Sequence, residues 1–444
     1  MLEQLMQTAV QYIDTVMVGS LGTVATAAVG CTTTVNWLVG STLSALGVGF
    51  LACISKAIGA RDIQKAKAAA SQAVLVTLAA GLVFTAVTLF LSPFVPVWMN
   101  ADGEIKDLAS QYFFILYTPM LFRAASIIFS TVLRAAGDTK TPMRVGIGVN
   151  IINCVLNFVL IYPTTARSLA GFDFTTYGAG LGVRGAAAAS AVAYAFGGIM
   201  ITVSLFRHKT VAPQRKLMRS DKALLKECMK VALPNMGQRF CTSLGYVFFA
   251  SMINSLGSIS TAAHTVANTV ESAFYIPGYG MQTAAATLTG NCIGAKDNER
   301  MKRLSKTAVI TQIVMMSVSG ALLFIFAPRL VALFSKDENV IALGAKVLRM
   351  VAVSEPFYGV SIVTEGMLQG AGKTVLPFVF NIICMWGVRI AGTFVCTRFF
   401  SLGLIGAWGC MIADNMLLLV LFRIYYRSDK WNPIKKEDKN GQLQ

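Results

Sequence analysis

"LGTVATAA" at Leu21–Ala28 returns as "LGSISTAA" at Leu256–Ala263, 235 residues downstream. The same offset carries "IGARD" (Ile58–Asp62) onto "IGAKD" (Ile293–Asp297). It also carries "LRAAGDTKTP" (Leu133–Pro142) onto "LQGAGKTVLP" (Leu368–Pro377). One constant offset through three separate blocks marks an internal duplication. Near the end of each copy the offset falls to 221, where Gly182 and Gly185-Ala186 meet Gly403 and Gly406-Ala407. The second copy therefore lacks part of one loop.

The chain is 55% hydrophobic and only 13% charged, with mean hydropathy +0.62. A soluble domain carries about 25% charged residues. About 20 apolar residues cross a bilayer core as a helix. Twelve spans are expected, at 2–19, 30–54, 70–93, 108–133, 143–163, 183–206, 229–254, 265–291, 307–328, 341–368, 376–398 and 404–426. Alternating β-strand patterning is absent, which argues against a barrel. The expected fold is thus an all-α integral membrane protein of two six-helix lobes. Six spans is an even number, so both copies share one orientation and form a parallel repeat, as in transporters built from two halves. The expected boundaries are 1–206 for the first lobe, 207–227 for a basic linker, 228–427 for the second lobe and 428–444 for a tail.

The net charge of +17 is distributed as a topology signal. Lys56, Arg61, Lys65 and Lys67 follow span 2. Arg207, Lys209, Arg215, Lys216, Arg219, Lys222 and Lys226 crowd the central linker, and Lys296, Arg300, Lys302, Arg303 and Lys306 follow span 8. The loop after span 3 holds Asp102, Glu104, Lys106 and Asp107 and is acidic. Lysine and arginine mark cytoplasmic loops. Both termini are therefore expected in the cytoplasm, in a multi-pass protein of the plasma (inner) membrane. Nucleic acid is not an expected partner, membrane lipid is, and the chain is expected to be monomeric. The nine cysteines are scattered singly, with no CxxC pair and no Cys/His cluster, and read as packing residues. His208 and His264 are placed near loops. No P-loop and no dinucleotide fingerprint is present. No cofactor is expected, and an ion gradient is the remaining energy source. An enzyme would need a convergent acid, base or metal cluster, and none is visible.

Polar residues inside the spans carry the specific information. Gln4, Gln7, Gln11 and Asp14 are spaced 3, 4 and 3 apart, within an arc of about 80° of one helix. A charged carboxylate at mid-membrane costs about 2.5–3.5 kcal/mol on insertion scales. Such a group either handles ions in a cavity or bonds across helices. Asn150, Asn153 and Asn157 share one face of span 5, and the same two readings stand for them. In the second copy Phe249 occupies the place of Asp14, Gly392 that of Asn157, and Glu271 that of Asn36. The buried acids there are Glu271, Glu355, Glu365 and Asp414, with Arg239, Arg349 and Arg389 as possible partners; Glu365 reads as a solvated cap. Span 8 carries Glu271, Phe274, Tyr275, Tyr279, Met281 and Gln282 and is expected to break at Pro277-Gly278. Aromatic faces above a carboxylate suit an organic cation, while ordinary packing is the other reading.

"YIDTVMVGSLGTVATAAVG" (12–30), "IGARDIQKAKAAASQAV" (58–74), "STVLRAAGDTKTPMRVGIGVNIINCVLNFVLIY" (130–162) and "GMLQGAGKTVLPFVFNI" (366–382) resemble the multidrug and toxic compound extrusion (MATE) transporters. The resemblance runs along essentially the whole chain. It implies two six-helix lobes with alternating access, and export of amphipathic, often cationic compounds in exchange for H⁺ or Na⁺. It implies that Asp14 is the coupling carboxylate, with Asn153 near it and Na⁺ as a possible occupant. Asn157 stands where several members carry a second aspartate. Thr242 and Tyr358 stand where one subfamily carries acids, so coupling through the first lobe is implied. The implied coupling set is Asp14, Gln11, Asn153 and Asn157. The implied substrate cavity draws on Gln7, Asn36, Asn150, Glu271, Tyr275 and Gln282. A flippase of a lipid-linked or polar metabolite is the alternative, and it would place more cations in the cavity than Arg123, Arg239 and Arg389. Pro234 is expected to open span 7, and its equivalent in the first copy would precede Met1. Span 1 is therefore expected to be shortened at its start.

Overall fold

The computed structural model describes residue 14 and residues 17–435, apart from 99–102, 170–171, 218–220 and 429. Gln4, Gln7 and Gln11, and with them the expected shortening of span 1, lie outside the described residues. The first copy contains α1 (Thr23–Gly59), α2 (Ile63–Leu91), the short α3 (Val95–Trp98), α4 (Gly103–Tyr117), α5 (Met120–Ala135), α6 (Lys140–Ile161) and α7 (Gly182–Phe206). The second contains α8 (Lys222–Asn254), α9 (Ser258–Gly294), α10 (Asn298–Ala332), α11 (Glu338–Gly370), α12 (Val375–Ile382), α13 (Ala391–Arg398) and α14 (Gly403–Arg427). A π-helical stretch, Ile383–Ile390, joins α12 to α13.

Among the described residues seven helical spans are long and apolar enough to cross a membrane, and α4 with α5 forms an eighth as a bent pair. The helices α8, α9 and α11 are 33, 37 and 33 residues long and fall outside that set. Besides exposed charges at their ends, they carry the buried polar residues Gln238, Glu271, Glu355 and Glu365. Large apolar side chains such as Leu82, Val83, Phe90, Ile151, Val155, Val318, Ile325 and Val353 face outward, the pattern of a lipid-facing surface.

The duplication is visible in the backbone. Gly22 (φ +107°) matches Gly257 (+101°), and Gly137 (+87°) matches Gly372 (+74°). Arg61 (+59°) matches Lys296 (+55°), a conformation that non-glycine residues rarely adopt. A left-handed residue beyond a helix end stops the helix, and glycine adopts it without a Cβ clash. The same stops recur 235 residues apart because the same helix ends recur.

The chain divides into two compact units. One gathers Val48–Ile63 with Lys226–Gln444; the other gathers the described residues of Leu2–Gly47 with Gln64–Leu225. In the first of these the last turns of α1 cross those of α9 reciprocally. Gly59 lies against the Asn291 backbone and Gly294 against the Lys56 backbone. Lys56 and Asn291 are themselves equivalent positions of the repeat. The Lys56 Nζ also donates to the Ala371 carbonyl (3.1 Å). This unit has its core around Phe249, Ile253, Leu323, Val347 and Trp408. In the other unit a smaller cluster joins Val18, Ala25, Ile161, Val183 and Ala186.

Four expectations are corrected. The segment absent from the second copy is an antiparallel hairpin, β1 (Pro163–Leu169) with β2 (Phe172–Ala179); its threonine-rich strands alternate too briefly to stand out in the sequence. Span 4 is not continuous, because α4 and α5 meet at a 53° bend at Thr118-Pro119, where a proline removes a helical donor. Span 8 is not broken, since α9 passes through Pro277, as membrane helices can where their surroundings re-satisfy the freed backbone groups. Pro234 does not open span 7, because α8 starts at Lys222 and contains it.

Candidate functional site

Asp14 is partly buried in a helical turn. The Asn157 Nδ2 on α6 donates to its Oδ1 at 2.6 Å. Asn153 lies one turn earlier on the same helix. With its carbonyl oxygen accepting from the Ser190 hydroxyl of α7 (3.0 Å), its amide nitrogen lies 2.8 and 3.0 Å from the two Asp14 oxygens; that amide orientation is assigned from the network. Two neutral amide donors thus converge on one carboxylate, and hydrogen bonds to an ionised acceptor are worth about 1.5–3 kcal/mol each. The Asn157 Oδ1 is buried without a partner. A carboxylate beside an open amide oxygen is an oxygen-donor set suited to a hard monovalent cation or a proton. Asn150 lies two turns from Asn157, and its Nδ2 is likewise buried without a partner. Asn36 is engaged elsewhere: it accepts from Arg123 Nη1 (2.6 Å) and from the Tyr117 hydroxyl (3.1 Å).

The second copy is polar in a different way. Arg389, aimed by the π-helical stretch, donates from Nε to Asp414 Oδ2 at 2.7 Å, and both side chains are 6% exposed. The rings of Tyr246 and Phe249 lie 5.4 and 5.9 Å from the guanidinium carbon. Glu271 and Glu355 are 6% and 1% exposed, lie within electrostatic range of each other, and both Glu355 oxygens lack a hydrogen-bond partner. Tyr275 packs edge-on against Tyr279 (6.0 Å) and Tyr358 (5.9 Å), and the Tyr279 and Tyr358 hydroxyls are 3.3 Å apart. Gln282 is buried with its Nε2 unpartnered. Glu271, Tyr275 and Gln282 therefore lie on one helix, α9, of the second copy.

Three further expectations change. Glu365 is not a solvated cap: it is 8% exposed and accepts from Gln238 (2.9 Å) and Gln369 (3.1 Å). Arg349 pairs with no acid among the described residues and donates to the Phe324 carbonyl (3.4 Å). His264 is within α9, where its Nδ1 accepts from the Trp408 indole (3.2 Å).

The MatE family model matches residues 1–159 and again 234–395. The chain belongs to the MATE family. Two matches in one chain are the duplication seen from outside. The family is one of transporters, not enzymes. The "Probable multidrug resistance protein NorM" of Thermotoga maritima is 28% identical over 429 residues, spanning 97% of this chain and 90% of the relative. The "Multidrug export protein MepA" of Staphylococcus aureus (strain MSSA476) is 26% identical over 402 residues, spanning 86% and 80%. Two solved structures share the fold. "Crystal structure of MATE in complex with MaD3S" superposes with TM-score 0.89 at 24% identity, over 98% of this chain and 94% of that one. "Outward-facing conformation of a multidrug resistance MATE family transporter of the MOP superfamily" gives 0.89 at 23%, over 98% and 95%. This MATE chain is accordingly an all-α, multi-pass membrane protein of about a dozen helices.

Ser190, which holds the Asn153 side chain, carries no signal in the sequence. It sits in an alanine-rich run, "AAAASAVA" (186–193), where a lone serine reads as a small packing residue. Glu355 with Glu271 could not be paired from sequence, since α9 and α11 are 84 residues apart at those positions.

Proposed function

We propose that this MATE chain is an ion-coupled antiporter that exports amphipathic, drug-like organic compounds, cationic ones among them, in exchange for H⁺ or Na⁺. The observation that supports this reading is the carboxylate of Asp14 held by Asn157 and Asn153. It has no basic partner within ion-pair distance among the described residues. A carboxylate with only neutral donors keeps its charge available for a proton or cation. A coupling group must bind its ion differently in the two access states, and only such a differential affinity shifts the equilibrium between them. The oxygen of Asn157 left open at the same place is where Na⁺ would add a ligand.

The basic charge of the loops at 55–68, 207–226 and 294–306 supports a cytoplasmic side for those segments and for both termini, with export running outward across the plasma membrane. The test is transport of a fluorescent organic cation from proteoliposomes under separately imposed proton and sodium gradients. Transport driven by one of them in wild type, and undriven in Asp14→Asn at equal reconstitution, is expected. A wild type indifferent to both gradients overturns the reading.

A further inference from the structure

The sequence offers its cysteines one at a time, and the fold brings two of them together. Cys396 is in α13 and Cys410 in α14, 14 positions apart, and their Sγ atoms are 3.6 Å from each other. Both thiols are free and half-buried. The helices approach this closely because each thiol is set over a glycine of the other helix. A Cβ added to Gly392 of α13 would stand 3.1 Å from Cys410 Sγ, and one added to Gly406 of α14 would stand 3.1 Å from Cys396 Cβ. A side chain larger than hydrogen at either place would crowd the sulfurs apart. The connection between the helices is a tight turn with Ser401 (φ +51°) and Gly403 (φ +56°) left-handed and Phe399 and Phe400 exposed. Cys396 is the nearer of the two to that open end of α13.

The repeat supplies an internal comparison. The positions equivalent to Cys396 and Cys410 in the first copy are Ile161 and Ala189, which are 1% and 0% exposed. The scaffold closes there on two apolar side chains, so packing alone does not call for sulfur. Cys53, Cys228, Cys292 and Cys384 are buried, the usual place of a packing cysteine. A disulfide holds its sulfurs at about 2.05 Å, so a closing movement of about 1.5 Å completes the bond between Cys396 and Cys410.

We propose that Cys396 and Cys410 form a reversible dithiol–disulfide site that staples α13 to α14, with a low-molecular-weight disulfide as the oxidant. The Cys396 thiolate attacks the small disulfide, a mixed disulfide forms, and one small thiol leaves with the proton that Cys396 gave up. The Cys410 thiolate then attacks the Cys396 sulfur, the mixed disulfide breaks, and the second small thiol leaves with the Cys410 proton. Two protein thiols are oxidised and one small disulfide is reduced to two thiols. Arg389 precedes Cys396 by about two turns, and Asp414 follows Cys410 by about one. The bond therefore holds the two helices in the register that the Arg389–Asp414 pair uses. With both termini cytoplasmic, as proposed above, the turn between α13 and α14 lies on the outer side, where disulfides persist. That orientation decides only which compartment supplies the oxidant; the chemistry depends neither on it nor on Asp14.

The test uses purified protein in detergent. Trypsin cleaves after Arg389, Arg398 and Arg423, so a cross-link joins fragment 390–398 to fragment 399–423. Reduced wild type is equilibrated with oxidised glutathione, remaining thiols are blocked with N-ethylmaleimide, and the digest is read by mass spectrometry without reductant. Most molecules are expected to give the joined fragments, and dithiothreitol is expected to return them separate. The Tm of oxidised wild type is expected to exceed that of the reduced protein by roughly 3–10 °C. Cys396→Ser and Cys410→Ser are each expected to show one Tm under both conditions. Fragments that stay separate with both cysteines blocked by maleimide, glutathione retained on both cysteines, or a wild-type Tm indifferent to oxidation would each overturn the assignment. The fragment readout uses wild type alone, so a serine variant that fails to fold does not enter it.

Discussion

Among the described residues, replacing Asp414 by Asn removes the one carboxylate in ion-pair contact with Arg389, leaving the guanidinium in place with Glu271 only within electrostatic range. Both side chains are 6% exposed and joined at 2.7 Å, so water cannot take over. The acceptors that remain are neutral: the amide oxygen introduced at position 414, the Tyr246 hydroxyl, and Asn415 Oδ1, which at 3.4 Å from Nη2 makes a poor bond. The rings of Tyr246 and Phe249 return about 0.5–2 kcal/mol at best. Breaking a buried pair by removing one partner costs about 3–5 kcal/mol, and the rings place this case near the lower end. With about 2–4 °C per kcal/mol for a unit of 150–250 residues, Tm in detergent should fall by roughly 6–12 °C. The double replacement Arg389→Met with Asp414→Leu removes both charges and should recover most of that loss. Asp14→Asn, by contrast, keeps two neutral partners and should change Tm by no more than about 2 °C. Size-exclusion chromatography after a temperature series reads all three. If Asp414→Asn matches wild type, or the double variant is as unstable as the sum of its singles, the pair is not the structural charge argued for.

Gly294→Ala should destabilise, because its Cβ would meet the Lys56 backbone, whereas Gly409→Ala, with nothing within 4 Å, should stabilise by about 0.5–1 kcal/mol; the same Tm assay separates them. Glu355→Gln should leave Tm within about 2 °C of wild type, since neither Glu355 oxygen has a partner to lose. Asp138, in the loop between α5 and α6, is pushed up by burial, but hydrogen bonds from Thr141 and the nearby His208 and Lys140 hold its carboxyl below the usual 3.8. A depressed carboxyl contributes stability that is present above its unfolded value and lost as pH falls through the folded one. The Tm difference between wild type and Asp138→Asn should therefore be steady at pH 5–7 and shrink as pH drops below about 4.

The repeat was legible because turn chemistry is local: the same left-handed stops follow the same short motifs in both copies. Asp14, Asn153 and Asn157 were legible because two of them share one helix face and a lone acid in an apolar run stands out. The hairpin was not, because its strands are too short and polar to rise above a loop. The break at Thr118-Pro119 and the unbroken passage of α9 through Pro277 and of α11 through Pro356 were not legible. Whether a membrane proline bends a span depends on what neighbouring helices offer its open carbonyl, which the span's own residues do not record. The contact of Ser190 with Asn153 and the Glu271–Glu355 proximity depend on packing between helices far apart in sequence.

The central claim is that Asp14 exchanges an ion against substrate. Its most direct measurement is substrate-driven ion movement: adding organic cation to one side of proteoliposomes holding no ion gradient, and recording H⁺ and Na⁺ flux to the other. The account predicts a flux of one of these ions in the opposite direction for wild type, and none for Asp14→Asn reconstituted to the same density. Undiminished counterflux of that ion through Asp14→Asn would contradict it.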